Sequence, residues 1–98
     1  MRIFRYELEV RDRQILELPM SAQPLHVAPG RDPEQYSIDL WCLVPELAPA
    51  LKYQVDIYGT GQPIDWYGDL TVTAAGYVGT AVMPDGYVWH VFVRPVRP

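Results

Sequence analysis

Any chemistry in this 98-residue chain must come from few side chains: two histidines, His26 and His90, one cysteine, Cys42, and twelve carboxylates. Neither histidine stands at a metal-ligand spacing from the other, from the cysteine or from clustered acids, so no zinc or non-haem iron site is expected. His90 lies in Val88-Trp89-His90-Val91-Phe92 and shares a strand face with Val88 and Phe92. It reads as a hydrogen-bonded strand histidine rather than a catalytic one. Nucleophilic catalysis would need Ser21, Ser37, Cys42 or a threonine beside a base and an oxyanion hole, yet no nucleophile-elbow or cysteine-flanking signature occurs. Asp39, Asp56, Asp65 and Asp69 could converge for glycoside chemistry, but nothing singles out a pair. The expectation is therefore no enzyme, no catalytic residue and no cofactor.

One local arrangement invites a sharper idea, the loop Gly59-Thr60-Gly61-Gln62-Pro63-Ile64. Residues free to take positive φ can gather several backbone N–H groups into an anion nest. Gly59, Thr60, Gly61 and Gln62 are thus the candidate ligand-binding residues. The loop lacks the lysine of a P-loop and runs into proline rather than a helix, which favours a structural strand exit.

The elements that would position these groups are strands, because period-two alternation dominates the chain. Phe4, Tyr6, Leu8 and Val10 face one way and Arg5, Glu7 and Glu9 the other. After a polar turn at Arg11 to Arg13, Leu16 and Leu18 mark a second strand ending at Pro19. Leu25 and Val27 flank His26 in a third, closed by Pro29-Gly30. Tyr36 to Val44 is apolar on both faces, with Tyr36, Ile38, Leu40, Cys42 and Val44 opposite Trp41 and Leu43, and predicts a central strand. Pro45 to Ala50 is a connection, and Tyr53, Val55 and Ile57 form a fifth strand. Leu70 to Thr73 is compatible with a short strand after an ordered loop at Trp66 to Asp69. Tyr77 to Met83 and Tyr87 to Arg94 are two strands joined by the turn Pro84-Asp85-Gly86. No amphipathic helical spacing appears, so the helix content should stay below about 15%.

The fold expected is all-β, a single small antiparallel sandwich or partly open barrel of about six to eight strands covering residues 1–98, without repeats or a linker. Phe4, Tyr6, Leu8, Leu40, Val55, Ile57, Val91 and Phe92 should be largely buried. The composition, 49% hydrophobic and 20% charged, is globular. A net charge of −4 without a basic stripe disfavours duplex nucleic acid. No apolar run approaches the roughly 18 residues of a membrane span, and the N-terminus has no secretory h-region, so a cytosolic protein is expected. Cys42 reads as a small buried hydrophobe.

Three Trp, seven Tyr and two Phe are many for this length. Trp41, Trp66 and Trp89 should be core or loop-anchoring residues. Some of Tyr58, Tyr67, Tyr77 and Tyr87 should be exposed. An exposed tyrosine-rich surface is how interfaces are commonly built, and the interface candidates are Tyr58, Trp66, Tyr67 and Tyr87.

Several segments, taken in order, resemble a known family: Ile3-Phe4-Arg5-Tyr6-Glu7-Leu8, Leu16-Glu17-Leu18-Pro19, Asp39-Leu40-Trp41-Cys42-Leu43-Val44, Tyr58-Gly59-Thr60-Gly61-Gln62-Pro63-Ile64, Tyr77-Val78-Gly79-Thr80 and Val88-Trp89-His90-Val91-Phe92. The resemblance is to small uncharacterised proteins found chiefly in tailed phages and prophages, grouped as a domain of unknown function. Gln62 stands where that pattern usually has histidine, and the stretch from Ile64 to Gly76 is longer. The resemblance implies a phage-encoded accessory protein of the host bacterial cytoplasm and supplies no activity. The leading expectation is a non-enzymatic protein that binds a host or phage protein during infection. The alternatives are a virion decoration or minor structural protein, and an oligomeric sponge that sequesters a small anionic or nucleotide ligand. Neither a membrane nor duplex nucleic acid is an expected partner, and self-association is left open.

Overall fold

A computed structural model describes residues 1–64 and 70–96, with backbone only at Thr71 and Val72. Seven strands and one short helix follow in order: β1 (Arg2–Glu9), β2 (Arg13–Pro19), β3 (Gln23–Pro29), β4 (Ser37–Val44), β5 (Ala50–Gly59), α1 (Leu70–Ala75), β6 (Tyr77–Val82) and β7 (Val88–Pro95). They form a three-stranded sheet, β1-β4-β3, and a four-stranded sheet, β2-β5-β7-β6, with every pairing antiparallel. The architecture is the expected all-β one, two sheets that do not close into a barrel.

Alternation places one apolar face of each sheet inward. Leu8, Val27, Ile38, Leu40, Cys42 and Val44 meet Leu18, Tyr53, Val55, Ile57, Ala81, Val91 and Val93 in a single buried cluster. Along one side β3 packs against β6. There a side chain at Gly79 would drive its Cβ to 2.9 Å from Val27 Cγ2, so glycine lets the two strands approach. Along the other side β1 and β2 lie in different sheets. The turn between them is bracketed by the Gln14 side chain, which donates through Nε2 to Glu9 O at 2.7 Å.

Central β4 and β5 each carry a buried aspartate on the outer face of their sheet. Asp39 Oδ1 accepts from Arg5 Nη1 at 2.9 Å, and its Oδ2 accepts from the Arg31 backbone N–H at 3.2 Å. Asp56 Oδ1 accepts from Arg13 Nε at 2.8 Å, and Arg94 Nε lies 3.9 Å from Oδ2. Burying a carboxylate is costly without such partners. Among the described residues no buried side-chain nitrogen or oxygen lacks a hydrogen-bond partner.

Three expectations need correction. Phe4 is 45% exposed rather than buried, and Tyr6 is only half-buried, because the apolar period of edge strand β1 runs on past the cover of the opposite sheet. Leu70 to Thr73 begins the helix α1, not a strand. Because β5 and β6 both pair antiparallel with β7, they run parallel to each other, and the chain between them must cross β7 instead of pairing locally. Tyr36 leaves the inward row of β4 and is 48% exposed, just ahead of the first residue of that strand.

Candidate functional site

Three connections meet at one end of the sandwich: the β3–β4 loop (residues 30–36), the turn leaving β5 (residues 59–64) and the β6–β7 turn (residues 83–87). Loops held at one end of a rigid sandwich are where binding residues are commonly displayed. Trp89 ties the three together. Its ring continues the inward row of β7 and packs against the core, and Cζ3 lies 3.6 Å from where a Cβ on Gly59 would stand. Its Nε1–H donates to the Tyr36 hydroxyl at 3.0 Å, and that hydroxyl in turn donates to Asp85 Oδ1 at 3.4 Å. Tyr87 stacks on Trp89 with ring centroids 5.9 Å apart and planes 21° apart. The Tyr87 N–H donates to the same Asp85 oxygen at 3.0 Å, which fixes the turn beneath the ring. Loss of water around the Tyr36 hydroxyl pushes its pKa up; the Trp89 hydrogen bond opposes this and Asp85 adds to it. Three aromatic side chains from two distant segments are thereby held in one arrangement, Tyr36 48% and Tyr87 63% exposed.

The turn leaving β5 is built differently from the nest its glycines suggested. Gly61 has φ 85, an angle that a side chain strains, but Gly59 is not among the positive-φ glycines. Gly59 instead lies against the Trp89 ring. Its N–H, the first donor a nest would offer, donates to Gln62 Oε1 at 2.9 Å, and Gln62 N–H donates back to Gly59 O at 3.1 Å. Thr60 Oγ1 lies 2.7 Å from His90 Nε2, and Thr80 Oγ1 lies 2.9 Å from His90 Nδ1. The Tyr77 hydroxyl bonds to Thr80 Oγ1 in turn. Both ring nitrogens of His90 are therefore engaged across β5, β7 and β6, as befits a hydrogen-bonded strand histidine.

A recess of about 450 Å³ opens beside this turn, lined by Asp12, Arg13, Tyr58, Gln62 and Pro63. Arg13 is committed to Asp56, and the hydrogen bond and charge of that carboxylate push the arginine pKa further up.

Of the interface candidates, Tyr87 is exposed, whereas Tyr58 is 6% exposed and belongs to the covered part of the outer sheet face. Tyr58 packs edge-on against Phe92 at 5.9 Å, and Tyr77 packs on Phe92 at 5.5 Å, so cross-strand aromatic contact is part of what covers this outward-facing residue. Trp66 and Tyr67 lie outside the described residues, as do Asp65 and Asp69. Asp39 and Asp56 sit on different sheets, each bound to its own arginines. Sequence reasoning missed the role of Tyr36, which bonds to Trp89 across 53 positions. Its only local signal was a large aromatic at the end of a polar loop.

Among the described residues no three His, Cys, Asp or Glu side chains gather as a metal-holding group, and no helix is long and apolar enough to cross a membrane. No curated protein and no solved structure matches the chain. A family model does, over residues 1–98, and the chain belongs to that family, the domain of unknown function DUF7352.

Proposed function

We propose that the protein is a non-enzymatic accessory protein, made by a phage in the host cytoplasm, that occupies a host or phage protein through the loop end of its sandwich. The observation that carries this reading is the exposed pair Tyr36 and Tyr87, held by hydrogen bonding and stacking on the half-buried Trp89. Interface energy concentrates in tyrosine and tryptophan anchors, and a side chain ordered before binding loses less entropy on docking.

The test compares the wild-type chain with a Tyr36→Ala, Tyr87→Ala double variant, each used to recover partners from infected cells. One stoichiometric protein should come down with the wild type and be lost with a variant that still melts cooperatively. Equal recovery by both chains would remove the loop end from the interaction.

A second reading, a minor virion component, draws on β1. This edge strand exposes Ile3 and Phe4, and its outer edge is open to a neighbour's strand. Its test is the protein content of purified particles. Sequestration of an anionic ligand is the weakest of the three, because Gln62 Oε1 already takes the Gly59 N–H.

A further inference from the structure

We infer that the loop end receives a cationic side chain of its partner, an arginine above all, stacked on the outer face of Tyr87 and paired with the Asp85 carboxylate. This rests on the protein-binding reading of that end and adds the chemistry of what it binds. The loops there carry Asp32, Glu34 and Asp85 against a single base, Arg31. Arg31 Nε is 3.8 Å from the buried Asp39 carboxylate. Among the described residues none of the three acids has a basic group within 4.0 Å. Asp85 spends Oδ1 on the Tyr87 N–H and the Tyr36 hydroxyl, and Oδ2 accepts no hydrogen bond among the described residues.

One face of the Tyr87 ring lies on Trp89; with the residue 63% exposed, the other face is turned to solvent. An aromatic face is the negative end of the ring quadrupole and attracts a cation within about 6 Å of its centroid. A planar guanidinium can stack on that face while one N–H reaches a carboxylate at the ring's edge, whereas a lysine ammonium gains mainly one of the two contacts. An acidic partner surface or a phosphate backbone would meet the three unpaired acids and be repelled.

The test uses capped glycine peptides bearing one central arginine, lysine or glutamine, titrated into isotopically labelled protein while the Trp89 indole and the Asp85 and Tyr87 amide signals are followed. The arginine peptide should give saturable shifts confined to these signals, lysine weaker ones and glutamine none, with affinity falling as salt rises. Asp85→Asn keeps the acceptor of the turn and removes the charge, and should weaken the arginine peptide roughly threefold or more. Equal shifts from the glutamine peptide, no saturable shift, or an unchanged affinity in Asp85→Asn would overturn the inference. A recovered partner that needs Tyr87 but is indifferent to Asp85→Lys would overturn the arginine contact and leave the protein-binding reading standing. Indifference to both substitutions would remove both.

Discussion

Asp39 and Asp56 stand mid-sheet with 1% and 0% of their surface exposed, and each is met by two arginines, Arg5 and Arg31 or Arg13 and Arg94. Asp32, Glu34 and Asp85 stand exposed at the loop end and meet none among the described residues. The first set joins neighbouring strands, since Arg13 comes from β2 and Arg94 from β7 on either side of β5. Their charge is used up inside the fold. The second set has charge left over, next to aromatic rings that are themselves held still. Carboxylates of the same type thus divide between holding the sheets and being available to a partner, and the division follows desolvation: a buried charge must be paired, an exposed one need not be.

The sharpest way to break this comparison is to strip Asp56 of both arginines. The double substitution Arg13→Met, Arg94→Met should lower the unfolding free energy by about 3–5 kcal/mol in urea titrations, because it takes two arginines away from a buried carboxylate. A loss near zero would mean that the other contacts of Asp56 suffice, the bonds from Gln54 Nε2 to both of its oxygens among them. Next comes Leu40→Ala on central β4, which should cost about 2–5 kcal/mol through the cavity it opens, measured in the same way. Unfolding within error of wild type would show that strand to be peripheral.

Burial pushes the Cys42 thiol up to about 11 from an ordinary value near 9.0. Between those values the unfolded chain loses the proton while the folded chain keeps it, so stability falls as pH rises through that window and is unaffected below it. The drop contributed by this thiol should be on the order of 3 kcal/mol and absent in Cys42→Ala. Thiol reagent should react only with unfolded protein. The smallest effect belongs to the loop end. Replacing Asp32, Glu34 and Asp85 singly by asparagine or glutamine should leave stability within about 0.5 kcal/mol, since nothing buried depends on them. A larger loss at any of them would place that acid with Asp39 and Asp56.

Which residues point inward was legible where apolar and polar residues alternate, as Val55 and Ile57 do with Gln54 and Asp56; β4 reads as apolar on both faces, and the structure leaves Trp41 and Leu43 half-buried. The β6–β7 hairpin was legible because its turn is local. Partner choice was not, because period two assigns faces and says nothing about which strand lies alongside. That left β1 beside β4 and β2 beside β5 unforeseen. Thr71-Val72-Thr73 has strand propensity, yet it sits in a connection between parallel strands, where the path of the chain outweighs a short propensity signal. In the candidate site, the expectation that some of Tyr58, Tyr67, Tyr77 and Tyr87 are exposed is met at Tyr77 and Tyr87. The Tyr36–Trp89 bond and the burial of Tyr58 under Phe92 and its neighbours depend on contacts between distant segments that no local spacing encodes.

The interleaved pairing has a consequence during synthesis. β1 finds its partner only when β4 has left the ribosome, and β2 waits for β5, so neither sheet can start from its first strand. The earliest pair available is β3 with β4, and the last is β6 with β7. The four-stranded sheet therefore cannot be complete until β7 has emerged. Until β4 and β5 emerge, the nascent chain carries two unpaired strands, Ile3, Phe4 and Ile15 among their side chains, a state in which long loops must close before any pairing is rewarded. The charges that alternate with them, Arg2, Arg5, Glu7 and Glu9 on β1 and Arg13 and Glu17 on β2, are the features that would keep such a waiting segment from pairing with another chain.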